Sequence, residues 1–193
     1  MEVFELIQGI ARTDANLIRS VDELNKAIDH IVMLIQDSSS LYLGGSYPSS
    51  AFLSITACEE VAKAHIGLFT DGTHPEKNGR NMFRNHKIKH QIAAMPTVPM
   101  GKRLENALGK DELERIMSMA QNAGFVQIRE NALYFQREND CLVVPSEKVD
   151  RDLARSLVLF AIEAFDDALV GSTKYSYEAD DITDALFEQI KNT

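Results

Sequence analysis

The chain has 193 residues, 45% hydrophobic and 25% charged, an ordinary globular composition with enough length to bury one sizeable core. Twenty lysines and arginines against 29 aspartates and glutamates leave a formal charge of −9. That balance excludes indiscriminate coating of nucleic acid or of an anionic membrane, but not a local basic site. Two distant cysteines, Cys58 and Cys141, offer neither a disulfide framework nor zinc spacing and point to a reducing cytoplasm. The start, MEVFELIQGI, is acidic and short on apolar run, so no signal peptide is expected. No stretch approaches the roughly 20 apolar residues that cross a bilayer.

In chain order, residues 14–43 read as one long helix. Leu17, Val21, Leu24, Ile28, Ile31 and Ile35 recur at threes and fours, with Asp14 as the cap and Gly44-Gly45 as the stop. Pro48 opens a second helix running to about Phe69, whose small face (Ala51, Ala57, Ala62, Ala64) allows another helix to approach closely. Residues 71–83 are rich in Gly, Asn and Pro and read as a loop. A third helix is expected from about Asn85 to Met95, and PTVP breaks it. A fourth covers about 101–122 and ends at Gly124. Residues 125–145 read as an irregular segment or small hairpin, with ALYFQ and CLVV flanking RENDC. Ser146 then caps a fifth helix to about Val170, and residues 173–193 close the chain as an amphipathic extension. The whole reads as one all-α bundle of five to six helices over residues 1–193.

Charge is unevenly spread. Between His74 and Arg103 stand seven cations (Lys77, Arg80, Arg84, Lys87, Lys89, Lys102, Arg103) against the single acid Glu76, and three of the five histidines. A cationic patch on an anionic body suits phosphate; a solvated basic face is the plainer explanation. His86 and His90 are four apart and share a helix face. Arg84 and His90 are six apart, about 600° of rotation, so Arg84 reaches that face only from the helix start. Such a pair suits acid–base work beside a phosphodiester, with arginine on the phosphate. It would suit a metal only with carboxylates at bundle-site spacing, and no Glu-x-x-His occurs here. Hence neither a metal nor another cofactor is expected.

Upstream, ACEEVAKA (57–64) places Glu59 and Lys63 for an ion pair along a helix. Glu60, turned toward the alanines, needs a cation if buried, and Arg84 or an island histidine is the natural partner.

These pieces, in this order, resemble the AbiV family of abortive infection proteins: Glu59-Glu60-Val61-Ala62-Lys63-Ala64, then His86-Lys87-Ile88-Lys89, then Arg129-Glu130-Asn131-Ala132-Leu133-Tyr134. The resemblance spans about residues 10–170 and extends to the HEPN superfamily of small helical domains. Their signature, Arg followed by a polar residue and His after four to six intervening positions, fits Arg84-Asn85 with His90. Arg80 with His86 has the same spacing. Arg84 and His90 are favoured because both can project from the start of one helix.

The resemblance implies a HEPN-like fold and a homodimer whose two Arg/His motifs line one cleft. It implies a metal-independent endoribonuclease of anti-phage defence, in which histidine deprotonates the ribose 2′-OH. Arg84, His90, His86 and Glu60 are the expected catalytic set. Lys87, Lys89, Arg80, Lys63 and Arg129 are the expected RNA contacts. The 2′-OH requirement makes RNA the substrate. The alternative is a non-catalytic module of the same shape that holds RNA, a nucleotide or a phage protein.

Overall fold

The computed structural model describes residues 16–70, 84–94 and 102–193. Arg80, the 71–83 loop, PTVP and the expected cap Asp14 lie outside the described residues. Within them the chain forms eight α-helices and one two-stranded sheet: α1 (Val21–Leu43), α2 (Tyr47–Gly67), α3 (His86–Ala93), α4 (Lys102–Leu108), α5 (Lys110–Gln121), α6 (Gly124–Leu133), β1 (Gln136–Glu138), β2 (Cys141–Val143), α7 (Arg151–Leu169) and α8 (Lys174–Lys191). The expected all-α HEPN-like bundle is what forms, with more and shorter helices than anticipated.

Each added boundary has a local cause. Helix α1 begins at Val21, because Ser20 caps it by accepting from the Glu23 amide, with Asp22 and Glu23 in the first turn beside the dipole's positive end. The preceding residues form a strap: the Leu17 and Ile18 amides donate to the carbonyls of Thr70 and Gly67, which removes them from any helix. The strap fits closely because Gly67 has no side chain; a Cβ there would stand 3.2 Å from Leu17 Cδ2. The expected 101–122 helix divides at Gly109, whose φ of 84° no helix accommodates. The 125–133 segment is helical, with Phe125, Ile128 and Ala132 buried at helical spacing. The hairpin follows it, in the register Gln136↔Val143, Arg137↔Leu142 and Glu138↔Cys141. Its turn, Asn139-Asp140, takes positive φ at both residues, as a two-residue hairpin turn demands. Ser146 falls in a 3₁₀ turn, and Asp150 caps α7 by accepting from the Leu153 amide at 2.9 Å.

Helix α7 is apolar on nearly all sides from Ala154 to Phe165, and it sits at the centre. It packs against α2, whose small residues (Ala51, Ser54, Ala57, Cys58, Ala62) are buried. Helix α1 covers both, and α8 lies against α1 and α7 through Phe187 and Ile190. Phe125 and Phe160 meet edge to face at 5.7 Å, which joins α6 to the central helix.

Arg103, expected in the basic island, is held elsewhere. Its Nε donates to Glu163 at 2.6 Å, Nη2 to Asp166 at 3.0 Å and Nη1 to Asp184, while the guanidinium lies 4.6 Å over the Phe187 ring. It pins α4 to α7 and α8. One arginine does not balance the acids around it. Burial, then the charges of Glu163 and Asp166, push the Asp167 carboxyl up to about 6, against the pull of Arg103.

The folded chain therefore holds a proton on Asp167 more tightly than the unfolded chain does. Stability falls as pH rises from about 4 through about 6, and the cost is fully present above that. We expect Asp167→Asn to raise the melting temperature near neutral pH and to shrink the gain that wild type shows on acidification toward about pH 5. Thermal scans across that range test it; equal pH dependence in both proteins would refute it.

Candidate functional site

The site is built on Glu59, one residue before the carboxylate that the sequence favoured. Glu59 is only 2% exposed, on the side of α2 facing α3 and α6. A lone buried carboxylate is costly, and this one is surrounded by donors. Lys89 Nζ donates to Oε2 at 2.6 Å. His90 Nε2 lies 2.8 Å from Oε1, and Arg129 Nη1 donates to Oε1 at 3.0 Å. His86 Nδ1 stands 2.8 Å from Oε2. Burial alone would raise the Glu59 pKa; hydrogen bonds from His90 and Lys89 overcome it and hold the carboxyl at about 2.

Short-range order places these groups. Asn85 caps α3, its Oδ1 accepting from the Ile88 amide, so His86, Lys89 and His90 fall on the first turns. Positions 86, 89 and 90 share a face at three and four residues' spacing, and that face meets Glu59. Arg129 comes from α6, one turn after the buried Phe125, and its guanidinium lies 5.2 Å over the Phe52 ring of α2.

The four partners differ in access. His90 is fully buried, with its ring edge-on to Phe125 at 5.4 Å. Its Nδ1 is buried with no hydrogen-bond partner among the described residues, so Nε2 is the nitrogen that donates to Glu59. Lys89 is 5% exposed. The His86 side chain is 47% exposed and that of Arg129 is 22%. Among the described residues only Nη1 of the guanidinium is engaged in hydrogen bonds, and the buried Nε has no partner there.

The remaining expected residues lie apart. Glu60 accepts from Lys63 at 2.8 Å on the partly exposed flank of α2, so it meets neither Arg84 nor a histidine, and Lys63 pairs with it instead of with Glu59. Arg84 and Lys87 are exposed at the start of α3 and make no hydrogen bond or ion pair with a described residue. Tyr134, the last residue of the Arg129–Tyr134 segment, is 66% exposed. Glu59, placed by its spacing for an ion pair with Lys63, is the carboxylate that the fold brings to the histidines instead; its place in the small-residue run is the sequence feature that accompanies its burial.

A helical bundle with a cation-lined carboxylate presenting an imidazole and a guanidinium to solvent is the class of protein that fold and site define. Residues 20–164 match the HEPN_AbiV family model, described as AbiV. That span is well over half of the chain, and the chain belongs to the AbiV family, HEPN-like in fold and linked to abortive infection. No curated protein and no solved structure matches it. Among the described residues no helix is long and apolar enough to cross a membrane.

Removing the carboxylate would strand Lys89 as a buried, uncompensated charge. We expect Glu59→Gln to cost about 3–5 kcal/mol at neutral pH. Glu60→Gln should stay within about 0.5 kcal/mol. Because the Glu59 carboxyl titrates low in the fold, its contribution is present above about pH 4.5 and is lost as pH falls toward 2. Urea unfolding at neutral and acid pH measures both; equal losses for the two variants would contradict the assignment.

Proposed function

We propose that this AbiV-family protein is a metal-independent endoribonuclease that acts in the cytoplasm during anti-phage defence. The carrying observation is the pairing of a half-exposed imidazole, His86, with a largely unengaged guanidinium, Arg129, on one buried carboxylate. His86 has the open surface that a base for RNA needs, whereas the buried His90 supports the site from behind. This choice of histidine keeps the Arg80/His86 spacing in play, with Arg84 and Lys87 on the exposed start of α3 as phosphate contacts.

The imidazole takes the proton of the ribose 2′-OH, and the freed oxygen attacks the adjacent phosphorus. The bond to the 5′ oxygen breaks, leaving a 2′,3′-cyclic phosphate; that oxygen takes a proton from water, and the imidazolium returns its proton to the hydroxide so formed. Arg129 stabilises the charge gathering on the phosphoryl oxygens, and Glu59 orients both groups. DNA lacks the attacking hydroxyl and is not cut. A homodimer would bring two such sites to one cleft. A second reading, a non-catalytic module for RNA, a nucleotide or a phage protein, draws on the burial of Lys89 and His90, both engaged with Glu59.

Purified protein should cleave RNA in EDTA, leave DNA intact, and lose at least about 100-fold in rate on His86→Ala or Arg129→Ala. Arg84→Ala should weaken RNA binding in proportion to its phosphate contact. Light scattering checks the dimer. Retained RNA binding with no cleavage by wild type would replace the nuclease with the binding module.

A further inference from the structure

Three groups of the site share one incompatible set of contacts. His86 Nδ1 is 2.8 Å from Glu59 Oε2 and also 2.8 Å from Arg129 Nη1. A ring nitrogen is either a donor or an acceptor. With a proton, Nδ1 donates to Glu59 and confronts an N–H of Arg129. With a lone pair, it accepts from Arg129 and confronts a carboxylate oxygen. Either arrangement satisfies one neighbour and opposes the other.

The surroundings tip the balance. From α2 comes one anion, Glu59; from α3 comes the cation Lys89 at 2.6 Å from the same oxygen that faces His86; from α6 comes the cation Arg129. Three donors, Lys89, His90 and Arg129, already occupy the carboxylate. The near field at Nδ1 is thus that of two cations against one satisfied anion, which favours a lone pair pointing at Arg129. The proton then sits on Nε2, the nitrogen that no described residue bonds, on the half-exposed ring. Such a ring is no base.

We propose that Arg129 sets the tautomer of His86, and that a phosphodiester arms the base by drawing Arg129 away. Nη1 leaves Nδ1 for a phosphate oxygen. Water delivers a proton to Nδ1, whose N–H then donates a hydrogen bond to Glu59 Oε2, and Nε2 releases its own proton to water. The ring's charge is unchanged, and Nε2 now carries the lone pair beside the substrate. Arg129 is in this respect a positioning residue for His86, in addition to its contact with the phosphate. The base role rests on the nuclease reading; control of the tautomer does not.

Long-range ¹H–¹⁵N spectra of labelled protein distinguish the two nitrogens of His86. In free wild type, Nδ1 should show the unprotonated, acceptor signature and Nε2 the protonated one. Arg129→Met, which has no donor, should reverse them, and Arg129→Lys, which restores a charged donor, should return the wild-type pattern. His90, whose Nε2 also meets Glu59, should keep its assignment throughout. If Arg129→Met does not fold, as judged by circular dichroism, titrating wild type with an uncleavable 2′-deoxy dinucleotide serves instead and should produce the same reversal. A protonated Nδ1 in free wild type, or an assignment unmoved by substitution or dinucleotide, overturns the proposal. Reversal in a protein that cuts no RNA would keep the tautomer control and remove only the nuclease reading.

Discussion

A carboxylate carried into the interior must be met by donors or it unfolds what surrounds it. Glu59 imposes that demand here. It sits at 2% exposure among the small residues of α2, and the groups that answer it come from α3 and α6, 27 to 70 residues further along the chain. The short α3, of eight residues, has little helix stability of its own. Its position follows from the Asn85 cap and from the three side chains it commits to Glu59. The same contacts that settle the fold at this point leave His86 and Arg129 at the surface, so a structural need and a chemical arrangement share one anion.

The charges of the molecule are sorted by this scheme. The cationic side of α3 compensates an acid of α2, while the acid-rich end of α7 and the side of α8 facing it gather around Arg103. Arg103 belongs to the basic stretch by sequence and to the acidic cluster in space. Between the two clusters runs the apolar α7, with Phe160 reaching Phe125 and Phe125 reaching His90. Packing together with a hydrogen bond to Glu59 thus holds the imidazole that sits deepest, and hydrogen bonds hold the one that faces solvent.

Much of this was legible before any coordinates. The threes-and-fours of α1, the Pro48 start of α2, the hairpin around Asn139-Asp140 and the closing amphipathic helix follow from side-chain period and backbone preference, which act within a few residues. The Arg–His stretch announced itself through charge and spacing. Helix boundaries were less legible. The Leu17–Val21–Leu24 spacing continues the helical period through a strap whose amides are bonded to the end of α2. Periodicity records which side chains are apolar; it is blind to carbonyls supplied by a distant segment.

From sequence alone came the all-α class, the AbiV resemblance and the group of imidazoles and cations beside an EE pair, because each is a matter of residue type and near spacing. Only the tertiary structure decided that Glu59 and not Glu60 is the anion, that Arg129 joins it, and that His90 is buried while His86 is open. Adjacent residues on a helix differ by about 100° in direction. Which of two neighbouring glutamates enters the core therefore depends on where other helices pack, and that is set by the sum of contacts across the whole chain.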